Sequence, residues 1–397
     1  MLNKLITSKK SLLSDSRYQI RIINDLVGLG EIKESWKNLQ TRCEVDIPFN
    51  TYEWYSTWWS SFKPEKKFEV IVVFDKGAPE ILYAILPIYR TYLKKNGKSN
   101  LHPWCNTHSY RTGLICDQQH LIAFDYIVSH LKSDPTWNTF KIPYLIKNSK
   151  THNAFKKAIK NGGIKYLTFP DKNSPYLEIE GEWDVYFNKQ GSSRRESLRR
   201  KSRKLLEKSN AKVDIYYGLT NNVKDSINNK LNDCWKISEK TWKHAAGSSI
   251  ASDPKRLSFY NNLALRGNTW IIVPILYLEN TPIAFEYNLL YKKTLYNLKL
   301  GYDVEFKKLS PGIVLRMKVL EWAFDRGDVE IFDYMGNAAE YKNMFSSNEL
   351  PHEEMEVYSK SIPNEFRVFY KGTLRPFLAK HYRLVKRIFM KQQISQN

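Results

Sequence analysis

Residues 294–345 constrain the fold of this chain more than any other stretch. They read as strand (TLYNLKLGYDVEFKK), loop (LSPG), helix (IVLRMKVLEWAFDRG) and a second strand within DVEIFDYMGNAAEYKNMF. A strand that empties into a Ser-Pro-Gly turn at a helix start leaves backbone N–H groups without intrahelical acceptors. They sit at the positive end of the helix dipole, a ready site for a phosphate or pyrophosphate. Pro311 in the first helical turn loses no needed hydrogen bond, and Gly312 lets an anion approach the backbone.

Just upstream, NTWIIVPILYL and PIAFEYNLLY form two apolar strands joined by ENTP. The first half carries the same device, with FEVIVVFD and EILYAILPIYR joined by KGAP. Before it come a strand, RYQIRII, a helix, EIKESWKNLQTRC, and an aromatic helix, NTYEWYSTWWSSF. Trp54 and Trp58 share a face of that helix, either as core or as a stacking platform. Two copies of one α/β unit are therefore expected, giving an α/β (α+β) fold of two mixed sheets flanked by helices. The copies are not equivalent. The helix beginning near Gln119 lacks the Ser-Pro-Gly start, so a single anion site is expected, in the second copy. The turn formers of PDKNSPYLEIE place a boundary near residues 170–180. The expected division is 1–175, 176–360 and a basic amphipathic C-terminal helix over 361–397.

Charge is the compositional outlier, with 62 Lys and Arg against 41 Asp and Glu and a net +21. Either an anionic partner (nucleotide, RNA, acidic glycan or phospholipid) or a solvated basic surface accounts for it. The helix SSRRESLRRKSRKLLEKS concentrates nine Lys or Arg between Arg194 and Lys212. After Glu365 the chain has eight Lys or Arg, no acidic residue, and interleaved aromatics such as Phe369 and Phe377. Such a helix either packs on its domain or lies on an anionic membrane surface. Four scattered cysteines give neither a zinc pattern nor a disulfide framework, and no long apolar run is present. The N-terminal stretch reads as neither signal peptide nor membrane span. A cytoplasmic protein, peripheral on the inner face of the membrane if its tail binds lipid, is expected.

GYDVEFKKLSPG, the later YKNMF and the RR-x-x-R run at 199–203 resemble the CelD-like acetyltransferases. These are a branch of the GNAT acyltransferases related to the Fem aminoacyltransferases of peptidoglycan synthesis. The resemblance implies a tandem GNAT-like fold with a degenerate N-terminal copy and a catalytic C-terminal one. It also implies acyl-coenzyme A (acetyl-CoA) as co-substrate without a metal. The acceptor would be an amino or hydroxyl group on a sugar or glycan-linked precursor of the cell envelope or exopolysaccharide. In such a protein Leu300, Ser310, Gly312, Ile313 and Val314 hold the donor, with Lys342 on the pyrophosphate or acyl carbonyl. For the base, Glu286 amid apolar strand residues, Asp333 at a strand end and His244 are the candidates. Glu286 is alternatively an outward-facing strand residue, Asp333 and Asp303 loop caps, and His244 a surface residue. A Fem-like aminoacyltransferase fed by aminoacyl-tRNA and a non-catalytic binding or scaffolding protein are the other readings.

Overall fold

The computed structural model describes residues 17–62, 68–94, 97–109, 111, 113–207, 209–217, 223–266, 269–379 and 381–382. The N-terminal basic stretch up to Ser16 and the tail from Arg383 lie outside them. Fifteen strands occur among the described residues. In the first half these are β1 (Tyr18–Ile23), β2 (Phe68–Asp75), β3 (Leu82–Tyr92), β4 (Ser99–Pro103), β5 (Ile115–Cys116), β6 (Trp137–Ile146) and β7 (Lys165–Pro170). In the second half they are β8 (Ser174–Glu178), β9 (Ala211–Tyr217), β10 (Ile271–Leu278), β11 (Thr281–Tyr291), β12 (Thr294–Tyr302), β13 (Ile331–Asp333), β14 (Asn348–Leu350) and β15 (His352–Tyr358).

Two mixed sheets result, as the two hairpins lead one to expect. The first runs β1-β2-β3-β4-β6-β15-β7, with β5 on β3, and the second runs β14-β8-β13-β12-β11-β10-β9. Each is antiparallel except for one parallel pair, β4–β6 in the first and β12–β13 in the second. The apolar runs FEVIVVFD and IIVPILYL become β2 and β10, strands covered on both faces, where unbroken Val and Ile runs belong. The sheets are interlaced. β8, which holds the expected boundary, pairs with β13 and β14, and β15 returns from the second half to lie between β6 and β7.

Between the sheets the helices Tyr52–Phe62 and Pro254–Arg266 meet through aromatic edges. Trp54 and Phe259 have ring centroids 5.1 Å apart, Phe62 and Phe259 5.2 Å, and Phe49 and Tyr296 5.5 Å. Trp54, Trp58 and Trp59 are all buried here, so the aromatic helix is core. A buried ion pair adds a polar tie across the halves. Arg111 from the first reaches Asp333 from the second at 2.5 Å and also donates to Ser174 Oγ at 2.7 Å. No helix among the described residues is long and apolar enough to cross a membrane.

Candidate active site

The parallel pair β12–β13 sets up the site by ending early. Pairing covers only Thr294 to Tyr296 against Ile331 to Asp333, whereas β12 continues to Tyr302. On that side the backbone of β12 beyond Tyr296 is left without a strand partner. On its other side β12 follows β11 with a bulge: Tyr287 faces Lys299 and Asn288 faces Asn297, so Leu298 is the extra residue. A bulge bends and twists its strand, and past it Lys299 to Tyr302 stay paired with Tyr287 to Ala284 of β11 while the β13 side is open. Gly301 is required in this bend, because a Cβ there would lie 2.5 Å from a Phe285 ring carbon.

A short 3-10 turn, Val304–Leu309, then leads into the helix Pro311–Arg326. Asp303 starts that turn, its carboxylate accepting the Glu305 N–H at 3.0 Å and pairing with Lys240 at 3.0 Å. Ser310 joins the two helices in the left-handed region, with φ of 55°. Glycine is used at 312 for a different reason: its Cβ would meet the Tyr302 ring at 3.3 Å. The N–H groups of Ile313 and Val314 already close onto Ser310 O at 3.0 and 3.2 Å. Of the helix-start amides, the Gly312 N–H is the one that precedes any intrahelical acceptor.

A cavity of about 460 Å³ opens at this helix start. Leu300, Ser310, Gly312 and Ile313 line it, together with Tyr302, Trp242, Lys243, Lys307, Tyr341 and Arg316. Val314 is buried in the core of the second sheet instead. Arg316, one turn into the helix, is the residue that sequence reasoning missed. Its signal was a guanidinium inside the apolar run IVLRMKVLEWAF. It is 2% exposed and donates through Nε to Glu286 at 2.6 Å. Both Nη groups are buried without a hydrogen-bond partner among the described residues, while the guanidinium lies over the rings of Phe332 and Tyr334. An unpaired buried donor is costly, so a cavity-lining arginine with two of them is suited to an anionic or carbonyl ligand.

Glu286 is wholly buried, not outward-facing. Besides Arg316, its carboxylate accepts from the side-chain amides of Asn288 and Asn297, each at 3.2 Å. Asp333 is fixed by Arg111 and caps its own loop through the Met335 N–H at 2.8 Å. His244 lies beside Ser249, with Nδ1 at 3.1 Å from the hydroxyl, and is not among the residues lining the cavity. Lys342 donates to the carbonyl of Met335.

Several lysines crowd this region. Lys243 donates to Leu300 O at 3.1 Å, and burial lowers its pKa. The ammonium of Lys299 lies 5.9 Å from the ring centroid of buried Tyr260. Burial, with Lys243, Arg256 and Lys342 nearby, pushes Lys299 down to about 7. Lys342 is lowered to about 8 by burial and Arg316. His108, 3.0 Å from the Tyr260 hydroxyl, is driven to about 2 by burial with Lys299 and Arg256, so it is neutral. Like charges forced together out of water give amines that lose protons near neutrality.

Residues 192–343 match the family model described as an acetyltransferase (GNAT) domain. No curated protein matches the chain in sequence. Solved structures resemble it in fold. FemX is 9% identical with a TM-score of 0.56, over 89% of this chain and 99% of its own. The C-terminal domain (DUF2156) of a putative lysylphosphatidylglycerol synthetase from Agrobacterium fabrum is 9% identical with a TM-score of 0.51, over 87% and 97%. A conserved protein of unknown function from Bacteroides thetaiotaomicron is 10% identical with a TM-score of 0.50, over 86% and 100%. Residues 192–343 are thus a GNAT domain, set in a chain that shares the fold of FemX across most of its length.

Proposed function

We propose that the protein transfers an acyl group, in the first instance acetyl, from acyl-coenzyme A to an amino or hydroxyl group on a saccharide precursor of the cell envelope or exopolysaccharide. The supporting observation is the cavity at the start of helix Pro311–Arg326, walled by Arg316 with its two unpartnered amino groups. In this reading the Gly312 N–H and Lys307 meet the pyrophosphate, and the open edge of β12 at Leu300 receives the pantetheine amides. Ser310, Ile313 and Val314 shape the turn. Arg316 draws electron density from the acyl carbonyl, an effect strongest where water is excluded. The acceptor nitrogen or oxygen bonds to the carbonyl carbon as the carbon–sulfur bond breaks. The acceptor's proton goes to a base, and the thiolate leaves as coenzyme A. Glu286 serves this step through Arg316, which it holds in the cavity wall. Lys299, which lies beside the cavity by Tyr260 and not in its lining, is the candidate base because it is neutral in part at pH 7, with Asp333 and His244 as the other candidates. Lys342 adds positive charge beside Asp333. We place the reaction on the cytoplasmic side of the envelope. Titration of the protein with acetyl-coenzyme A, and with Arg316→Met in parallel, tests the reading: binding of the parent and its loss in the variant are expected.

A second reading uses aminoacyl-tRNA as donor. It is favoured by the basic helix Ser192–Ser202 and an open groove of about 700 Å³ that includes Lys189, Arg194, Lys201 and Met344. Co-purified tRNA, released by salt and absent after Arg194→Glu with Lys201→Glu, is its signature.

A further inference from the structure

The C-terminal helix turns its aromatic side away from the protein. It starts at Ile362–Phe369, passes through a π-helical turn at Tyr370–Leu374 and continues past Pro376. The wide turn follows from Pro376, which has no N–H and whose ring would clash with the carbonyl four residues earlier. The inward face is polar and well anchored. Asn364 donates to Asn138 O and Ser359 O, both at 2.9 Å, Lys371 pairs with Glu356 at 2.7 Å, and Gly372 sits against Leu167. The outward face carries Ile362 at 88% exposure, Phe366 at 67%, Phe369 at 53% and Phe377 at 56%. A water-soluble surface helix places its apolar stripe inward, so this one is reversed.

Three further observations say what suits that face. Tyr92, 64% exposed, ends β3 in the hairpin next to the helix start. Between that hairpin and the helix is a groove of about 480 Å³ whose lining includes Lys94, Lys98 and Arg367 and no carboxylate. From Phe366 to the end of the chain there is no acidic residue. Aromatic rings projecting between cations match the boundary of an anionic bilayer, where rings enter the acyl region and Lys and Arg remain at the phosphates. We propose that this face, formed by Tyr92, the groove and the outward side of the C-terminal helix, docks the protein on an anionic phospholipid membrane.

The test is flotation of the full chain with vesicles of phosphatidylcholine alone and of phosphatidylcholine with phosphatidylglycerol. Binding to the anionic vesicles is expected, weakening as salt rises. The combined variant Phe366→Ser, Phe369→Ser and Phe377→Ser should bind about a hundredfold more weakly with an unchanged melting temperature, because these rings touch little of the fold. Lys94→Glu with Lys98→Glu should reduce binding to anionic vesicles only. Failure of the full chain to bind, equal binding to both vesicles, or undiminished binding of the triple variant would overturn the proposal. So would a parent dimer that the triple variant converts to a monomer while vesicle binding persists, since a second copy then covers the face. Vesicle binding that appears only after removal of residues 383–397 would equally overturn it, by showing that the tail covers the rings.

Discussion

Replacing Glu286 by glutamine separates two roles for the most buried carboxylate near the cavity. Glu286 and Arg316 are 0% and 2% exposed and meet at 2.6 Å. The Glu286→Gln change would keep the shape, but its one amide oxygen can accept from Arg316 or from Asn288 and Asn297, not from both sides, and the guanidinium is left as an uncompensated buried charge. Breaking a buried pair in this way costs about 3–5 kcal/mol. For a cooperative unit of about 150–250 residues that lowers the melting temperature by roughly 6–20 °C, and by less if the interlaced halves unfold together. Differential scanning calorimetry reads the loss, and isothermal titration with acetyl-coenzyme A reads donor affinity, which should fall as Arg316 loses its orientation. The double change Glu286→Leu with Arg316→Met removes both charges. It should recover most of the stability, as apolar replacements of buried pairs do, without recovering donor binding. If Glu286→Gln melts within a degree of the parent and binds the donor normally while turnover alone collapses, the carboxylate is a general base. The account of it as the anchor of Arg316 is then wrong.

Other outcomes follow from the same geometry. Gly312→Val should weaken donor binding by about 2–3 kcal/mol, measured by titration, because its Cβ, 3.3 Å from Tyr302, drives that ring into the cavity. With Lys299 near 7 as the base, kcat/KM should rise with pH through about 7 and level off, and Lys299→Met should flatten the profile. Stability carries the same sign. Between about pH 7 and the ordinary lysine range the unfolded chain holds a proton that the folded one has shed, so stability should increase with pH there, and less steeply in Lys299→Met. Urea unfolding on both sides of that window checks it. Asp333→Asn removes the carboxylate that pairs with Arg111, 1% exposed, and should cost about 3–5 kcal/mol in a melt.

How much of this was legible in the sequence depends on the range of the interaction. The hairpins, the Ser-Pro-Gly helix start and the duplicated unit were readable because periodicity and turn chemistry are local. So was the position of Leu300, Ser310, Gly312 and Ile313 around one cavity, since a strand feeding a helix brings its ends together. The interlacing of the sheets was not readable. β15 lies between β6 and β7 through pairings some two hundred residues distant, and no local signal specifies them. Arg316 and Glu286 were separated for the same reason, thirty residues apart on a helix and a strand. The burial of Trp54 and Trp58 was legible only as one of two alternatives, because an aromatic stripe serves core and ligand alike. The reversed C-terminal helix shows where pattern reading stops. The order of aromatic and basic residues gives amphipathicity, whereas Asn364, Lys371 and Gly372 decide which side faces the protein.

The most direct test of the central claim is isothermal titration of the full chain with acetyl-coenzyme A, accompanied by native mass spectrometry of the protein from its own host. One cavity at one helix start predicts one donor per chain, with loss of the bound state in Arg316→Met. Absence of coenzyme A binding, with tRNA retained on the purified protein, would contradict it, and two equivalent sites would contradict the assignment of the donor to the second copy alone.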